Sequence, residues 1–448
     1  MADIEVQYKG TTIKSQTGSG TVTLHTEGKY CEDDIDIVYT APSGPTEPES
    51  LNVDFIDYDG TLLYSYSTAD FLALSAMPTP PTHTGLTGQG WNWTLVEAQT
   101  YVAKYHDLVI GATYKSTDHK THIFIDLAEP MAAGNLKFTM RFTTTVKGGV
   151  TIDWGDGTTE ASTANANAVG TYTHEYATLG QYEIVLTVTS GSLKLNSTTS
   201  GHSMFYYGLE SAPWYLWSAR AVEGIIIGDD IELLGGVFGG CYNLEYIVFS
   251  ESCFLNNTNN NVFLDGTIKM KGLVLPRSTD CDRTNFVTNN SPNLSLRFIS
   301  FPPTLTKMNS AINQPALEKL TMPSITGTTS AVITVNNMRA LVFDGTYTTI
   351  PQYGFASSNH PNSTVKEVWI PATVTSITQR AWQWLMGLEK VHAQGTTPPT
   401  LGNTNAFNLL KPEAKILVSY SADHSVLNAY KAATNWSTLA SKIEEEPQ

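Results

Sequence analysis

Apolar and polar residues alternate along most of this chain in short runs broken by Gly, Pro, Asn and Thr, the pattern of half-buried strands. Residues 1–40 predict three of them, "IEVQY", "TVTLHT" and "IDIVYT", as a small N-terminal β module. "APSGPTEPES" (41–50) has nothing to bury and predicts a linker. Residues 51–132 predict a small α+β unit. "LNVDFI" meets the turn Asp57-Tyr58-Asp59-Gly60 and "TLLYSYS" runs back. Thr68 is placed to cap a short helix, "ADFLALSAM", and Thr94 with Glu97 forms a capping box opening "LVEAQTYVAKY". "LVIGATYKSTDHKTHIFIDL" then predicts a hairpin turning at Asp118-His119.

Residues 133–200 carry a more specific pattern. Alternating strands flank Trp154-Gly155-Asp156-Gly157, followed by His174-x-Tyr176 and Gly180-x-Tyr182. Gly157 supplies the positive φ of a tight turn, and Trp154 and Tyr182 are the bulky residues a sandwich buries. The segment resembles the PKD (polycystic-kidney-disease) domain. That implies an immunoglobulin-like β-sandwich serving as a spacer or as a protein- or glycan-contacting module.

Residues 201–443 repeat. Units open at "VEGIIIG" (222), "LEYIVF" (244), "MKGLVLP" (270), "LRFISFP" (296), "LEKLTMP" (317), "MRALVFD" (338), "VKEVWIP" (365), "LEKVHA" (388) and "AKILVS" (414), spaced 21 to 27 residues apart. One strand per such period predicts a solenoid whose coils bury their apolar faces against one another. In "VKEVWIPATVTSITQRAWQWLMG", Val365, Val368, Ile370, Pro371, Val374, Ile377 and Ala381-Trp382 fall on the pattern of the BspA-like leucine-rich repeat, which the unit resembles. "VLNAYKAATNW" predicts an amphipathic helix capping the last coil and covering its strand edge. The expected fold is therefore mainly β and multidomain.

Composition narrows the function. The formal charge is −16, from 42 acidic and 26 basic residues, which disfavours nucleic acid and anionic membranes as partners. No apolar run approaches the roughly 20 residues that span a bilayer, and "MADIEVQYKG" lacks the pattern of a secretory signal. Cys31, Cys241, Cys253 and Cys281 form no C-x-x-C pair, and His119-x-x-His122 lacks a third ligand, so no metal and no cofactor is expected.

One motif points elsewhere. Asp57-Tyr58-Asp59-Gly60-Thr61 resembles the D-x-D-G-T signature of the haloacid-dehalogenase family, and "GIIIGDDIELL" (224–234) its second acidic motif. That resemblance implies a nucleophile at Asp57, a general acid at Asp59 and a bridging Mg2+. The family's fold, however, is a parallel sheet with a crossover helix after each strand. Here Asp59 is followed by short helices, hairpins, a sandwich and a solenoid, so the motif predicts an Asp-Gly turn and no catalytic residues.

What remains is binding. Aromatic residues cluster in "SMFYYGLESAPWYLW" and around Trp384, which makes Tyr206, Tyr207, Trp214, Trp217 and Trp384 the candidate binding residues. The module order resembles accessory surface proteins of bacteriophages and prophages. That resemblance implies a non-enzymatic virion structural protein, a tail, fibre or head-decoration element. Residues 1–40 would hold other virion proteins, the repeats would face a host glycan or protein, and the chain could be a homo-oligomer. The alternatives are a bacterial cell-surface adhesin and a virion-associated polysaccharide hydrolase. The Met1 start and the absence of a wall-sorting motif after "SKIEEEPQ" point away from the adhesin.

Overall fold

The structure, a computed structural model, describes residues 3–8, 11–17, 35–40, 51–128, 136–195, 204–205, 217–234, 237–256, 269–277, 295–304, 312–313, 319–322, 333–334, 340–343, 348–350, 365–382, 385–407 and 410–447. Two compact units result, Met1–Leu51 and Asn52–Gln448. The chain is mainly β with few helices, and its C-terminal part is a β-solenoid.

In the first unit β1 (Asp3–Tyr8) lies between β2 (Thr11–Thr17) and β3 (Ile35–Thr40), antiparallel to both. The strand β2 was not expected, and "TVTLHT" lies outside the described residues.

The second unit opens with a four-stranded sheet, β4 (Asn52–Ile56), β5 (Leu62–Ser67), β6 (Leu86–Trp91) and β7 (Leu108–Ser116), in the order β5-β4-β7-β6. The β4–β5 hairpin closes as the turn chemistry demands. The Gly60 amide donates to the Asp57 carbonyl, Gly60 has φ +85°, and the Asp59 carboxylate accepts from Thr61 N and Oγ1. Helix α1 (Thr68–Leu72) is capped by Ser67, whose side chain accepts from Asp70 N. Thr68, expected as the cap, is the first helical residue and donates to the His106 carbonyl instead. Helix α2 (Leu95–Tyr105) has the expected Thr94–Glu97 capping box and packs Ala98, Tyr101, Val102 and Tyr105 inward.

The expected hairpin at Asp118-His119 does not form. Strand β7 is buried nearly throughout, and both its edges are taken, by β4 and β6. The chain turns at His119 (φ +65°) and enters another sheet as β8 (Thr121–Leu127), which pairs with no strand of the first.

Two facing sheets follow. They begin with β9 (Lys137–Thr144), β10 (Val150–Asp153), β11 (Thr159–Ala161), β12 (Val169–Glu175), β13 (Gly180–Val188) and β14 (Leu193–Leu195). After helix α3 (Trp217–Ala221) come β15 (Val222–Ile226), β16 (Glu232–Leu234), β17 (Tyr246–Val248) and β18 (Phe254–Asn256). One sheet runs β11-β10-β13-β8-β15-β17 and the other β12-β9-β14-β16-β18. Trp154 is buried between them, stacked on His174 at 5.0 Å, and Tyr176 donates to the Trp154 carbonyl at 2.8 Å. Tyr182 packs against this core half-buried.

The solenoid grows out of these sheets, which change from antiparallel to parallel pairing at their far edges. Strand β15 is antiparallel to β8 on one side and parallel to β17 on the other, while β14 starts the parallel run to β16 and β18. The front ladder continues as β19 (Gly272–Val274) and β20 (Phe298–Ser300). Short back strands β21 (Ile312–Asn313), β23 (Ile333–Thr334), β25 (Thr349–Ile350), β27 (Ser376–Ile377) and β29 (Thr400–Leu401) interleave with front strands. Those are β22 (Lys319–Met322), β24 (Ala340–Phe343), β26 (Glu367–Ile370), β28 (Lys390–Ala393), β30 (Lys415–Val418) and β31 (Ile443–Glu445). A front strand follows each of the nine repeat openings read from the sequence. In-register pairing stacks like residues. Ile225 faces Ile247, Leu273 faces Ile299, and Val368, Val391, Ile416 and Ile443 form a buried column. One apolar core runs from Ile123 to Ile443. Outside, ion pairs link successive coils: Lys390 with Glu367 at 3.0 Å, and Glu389 with Lys366 and Lys411 at 3.0 and 2.9 Å.

The end of the array differs from expectation in one respect. Helix α4 (Ser425–Ala432) and the 3-10 turn Trp436–Lys442 do plug the last coil. Tyr430 donates to the Gly395 carbonyl and Trp436 to that of Pro399. The edge of β30, however, is covered by a strand, β31, rather than by the helix. Its "IEE" is too charged to be read as a strand, yet only Ile443 needs to face inward. Among the described residues no helix is long and apolar enough to cross a membrane.

Candidate functional site

The first sheet of the second unit lies on the outer face of the solenoid ladder at β19 and β20, and glycines set how closely. A Cβ on Gly60 would lie 2.4 Å from Gly272 N, and one on Gly272 would lie 2.3 Å from Gly60 Cα, so the hairpin turn rests backbone-on-backbone on β19. At Gly111 in β7 a Cβ would fall 2.3 Å from Val274 Cγ1. Ile56, Val109, Val274 and Phe298 form a buried cluster of their own between the two layers.

Polar groups then fix the register. The Asn92 amide, 0% exposed, donates to the carbonyls of Leu275 and Ser300 at 3.1 and 3.2 Å and to Ser300 Oγ at 2.9 Å. Its Oδ1 accepts from Gly111 N at 2.9 Å. The Trp93 indole donates to the Phe301 carbonyl at 2.8 Å. Arg277 holds Glu97 through both oxygens, at 2.7 and 3.0 Å, which lowers the Glu97 pKa to about 2 against the opposing effect of burial.

This docking creates a cleft of about 390 Å3. Tyr58 and Asp59 of the turn form one wall. Glu245 and Tyr246 at β17 and Lys269 and Lys271 before β19 form the other, and Ser295 lies at the edge. The ring of Tyr246 packs over Gly224, where a Cβ would lie 2.3 Å from Tyr246 Cζ, and meets Tyr58 edge-on at 5.4 Å. Tyr58 in turn packs edge-on against His83 and Tyr114, at 5.1 and 5.6 Å. Burial first, then the Asp59 and Asp57 carboxylates, push the Tyr58 pKa up. Burial also raises that of Tyr246, with Tyr58, Glu183, Glu223 and Glu245 adding to it. Both phenols therefore remain hydrogen-bond donors at neutral pH.

The acidic residues of the D-x-D-G-T-like motif are engaged separately. Asp57, 4% exposed, accepts from Tyr58 N and sits 2.8 Å from His83 Nε2. Asp59 braces Thr61. Asp229 lies in the loop after β15, 2.6 Å from His119 Nδ1 and from Ser250 Oγ. Asp57 and Asp229 share none of these partners. His122 stands between Asp118 and Glu183, at 2.8 and 2.7 Å. Among the described residues no group of three or more His, Cys, Asp and Glu is arranged to hold a metal ion. Cys241 and Cys253 are buried in the apolar core, and Cys31 and Cys281 lie outside the described residues.

Of the candidate binding residues, Tyr206, Tyr207, Trp214 and Trp384 lie outside the described residues, and Trp217 is described only as the first residue of α3. In their neighbourhood Met204 and Phe205 are fully buried. Met204 bridges β9 to the first coil, accepting from Arg141 N and donating to the Val237 carbonyl. Sequence alone marks Tyr58 and Asp59 only as part of a turn and does not join them to Tyr246, because the turn and the strand come from distant segments. The available signal was glycine: Gly272 occupies an outward strand position where Phe298 and Glu367 stand in later coils, and glycine there marks a close backbone approach.

Compared with known protein families, the chain matches none, and no curated protein matches it.

Proposed function

We propose that this chain is a non-enzymatic bacteriophage virion structural protein that adheres to the host surface. Residues 1–40 attach it to other virion proteins, and a PKD-like sandwich continuous with BspA-like leucine-rich repeats carries the adhesive face outward. The observation that carries this reading is the cleft at Tyr58 and Tyr246. It lies on the flank of a solenoid, is lined by tyrosines and mixed charges, and is held open by a docked sheet rather than by loops. A rigid extended array with a pre-formed patch of aromatic and hydrogen-bonding groups suits recognition of a glycan or protein surface. The net charge of −16 opposes nucleic acid and anionic lipid as targets. The separate small β unit, joined through a Pro- and Gly-containing stretch, suits attachment.

The test is saturable binding of the purified full chain to intact host bacteria, followed by flow cytometry. Binding that saturates and that unlabelled chain displaces supports adhesion. Release of soluble sugar from the same cells would move the reading to a hydrolase.

A further inference from the structure

The cleft at Tyr58 and Tyr246 also indicates what kind of ligand it takes. Its charges balance: two carboxylates, Asp59 and Glu245, against two ammonium groups, Lys269 and Lys271. Lys269 also faces Glu223, whose pKa it draws down against burial, while Lys271 lies exposed at the cleft. A polyanion would gain two lysines but meet both carboxylates, with Glu183 and Glu223 close behind Tyr246. A cationic ligand would meet the lysines. Sugar hydroxyls suit the set because each donates to a carboxylate and accepts from an ammonium or a phenol. The tyrosines add apolar ring surface with a polar tip. The volume of about 390 Å3 is near the small end of ligand pockets, roughly 300–1,000 Å3, which limits the occupant to a short unit of a chain.

We infer that this cleft is a binding site for an uncharged saccharide unit, a hexose or N-acetylhexosamine of a surface glycan, clasped between Tyr58–Asp59 and Glu245–Tyr246 with Lys271 as a hydrogen-bond donor. This rests on the adhesive reading above. Glu245 and Lys271 are exposed and so can be changed without disturbing the core, whereas Tyr246 also packs over Gly224.

The experiment applies the full chain to an array of neutral hexose and N-acetylhexosamine oligosaccharides, beside sulfated and uronate-bearing ones of equal length, with intact host cells assayed in parallel. The expected result is retention of neutral oligosaccharides. Lys271→Ala, Glu245→Gln and Tyr246→Phe should each weaken it about tenfold, the cost of one lost hydrogen bond to a charged or phenolic partner. Retention of only sulfated or uronate-bearing sugars overturns the inference, as does neutral-sugar binding that none of the three variants alters. If the chain binds cells but no sugar, the inference fails while the adhesive reading stands. If it binds neither, both fail.

Discussion

Gly60 and Gly272 meet backbone to backbone although 212 positions separate them (272 − 60), and neither has room for a methyl group. The contact seats the β4–β5 turn on the solenoid ladder and so places Tyr58 beside Tyr246. Gly272 is the cleaner probe, because Gly60 also has φ +85° and would be strained by any side chain. Gly272→Ala should cost about 1–3 kcal/mol through overpacking. Hydrogen exchange should locate the loss in residues 52–67 and leave the C-terminal coils protected. Uniform loss of protection along the chain would contradict this.

Asn92 is the second lock between the layers, with its amide and its oxygen both satisfied. Asn92→Asp keeps the shape but turns acceptors toward the Leu275 and Ser300 carbonyls in a site closed to water. A loss of about 2–4 kcal/mol is expected from chemical denaturation, from an unpaired buried polar or charged group. The half-exposed Glu97–Arg277 pair serves as the contrast, since Arg277→Ala should cost only about 1 kcal/mol or less. Glu97 is depressed to about 2, so its contribution is complete above an unfolded value near 4.5 and disappears as pH falls through about 2.

The C-terminal edge carries a different pH dependence. His392 stacks on Trp369 at 4.5 Å, contacts Glu367 at 3.2 Å, and bonds Glu446 beyond the end of β31. Burial would lower its pKa, but the two carboxylates outweigh burial and raise it. The clamp is therefore complete below the unfolded value near 6.5 and is lost as pH rises through the higher folded value. Glu367 works in the other direction. Burial opposes its charge, His392 and Lys390 prevail to lower its pKa, and its share is lost as pH falls below its unfolded value. A pH series of amide exchange should show β31 loosening first on the alkaline side, and His392→Gln should flatten that limb. An unchanged profile in the variant would refute the clamp.

The stacked column predicts local rather than global damage. Ile416→Ala empties a site between Val391 and Ile443 and should cost about 2–5 kcal/mol. Because each coil touches only its neighbours, the loss should appear around β28, β30 and β31 by hydrogen exchange while β9 to β13 keep their protection.

Much of this architecture is legible in the sequence because burial writes itself locally. Among the described side chains, repeat openings lead into strands whose inward residues, such as Ile225, Ile247, Leu273 and Val368, are apolar, and the capping box of Thr94 and Glu97 marks α2 unaided. The β7–β8 turn misled for a physical reason. Hairpin grammar reads a turn between two strands but not whether those strands already have partners, and β7 has two. Strand β31 escaped because a single inward Ile443 suffices at a terminal coil, where the other face is wet. The cleft was hidden for the same kind of reason. Tyr246 is visible as an outward aromatic, but its neighbour Tyr58 comes from a turn whose position depends on Gly60, Gly111 and Asn92 acting together.

The claim that the chain sits on a virus particle and faces its host is tested most directly by immunogold electron microscopy of purified virions with antibody against residues 52–448. The account predicts regular labelling at fixed sites on the outer surface of the particle. Bare particles, with the antigen instead on the wall of uninfected bacteria, would contradict it.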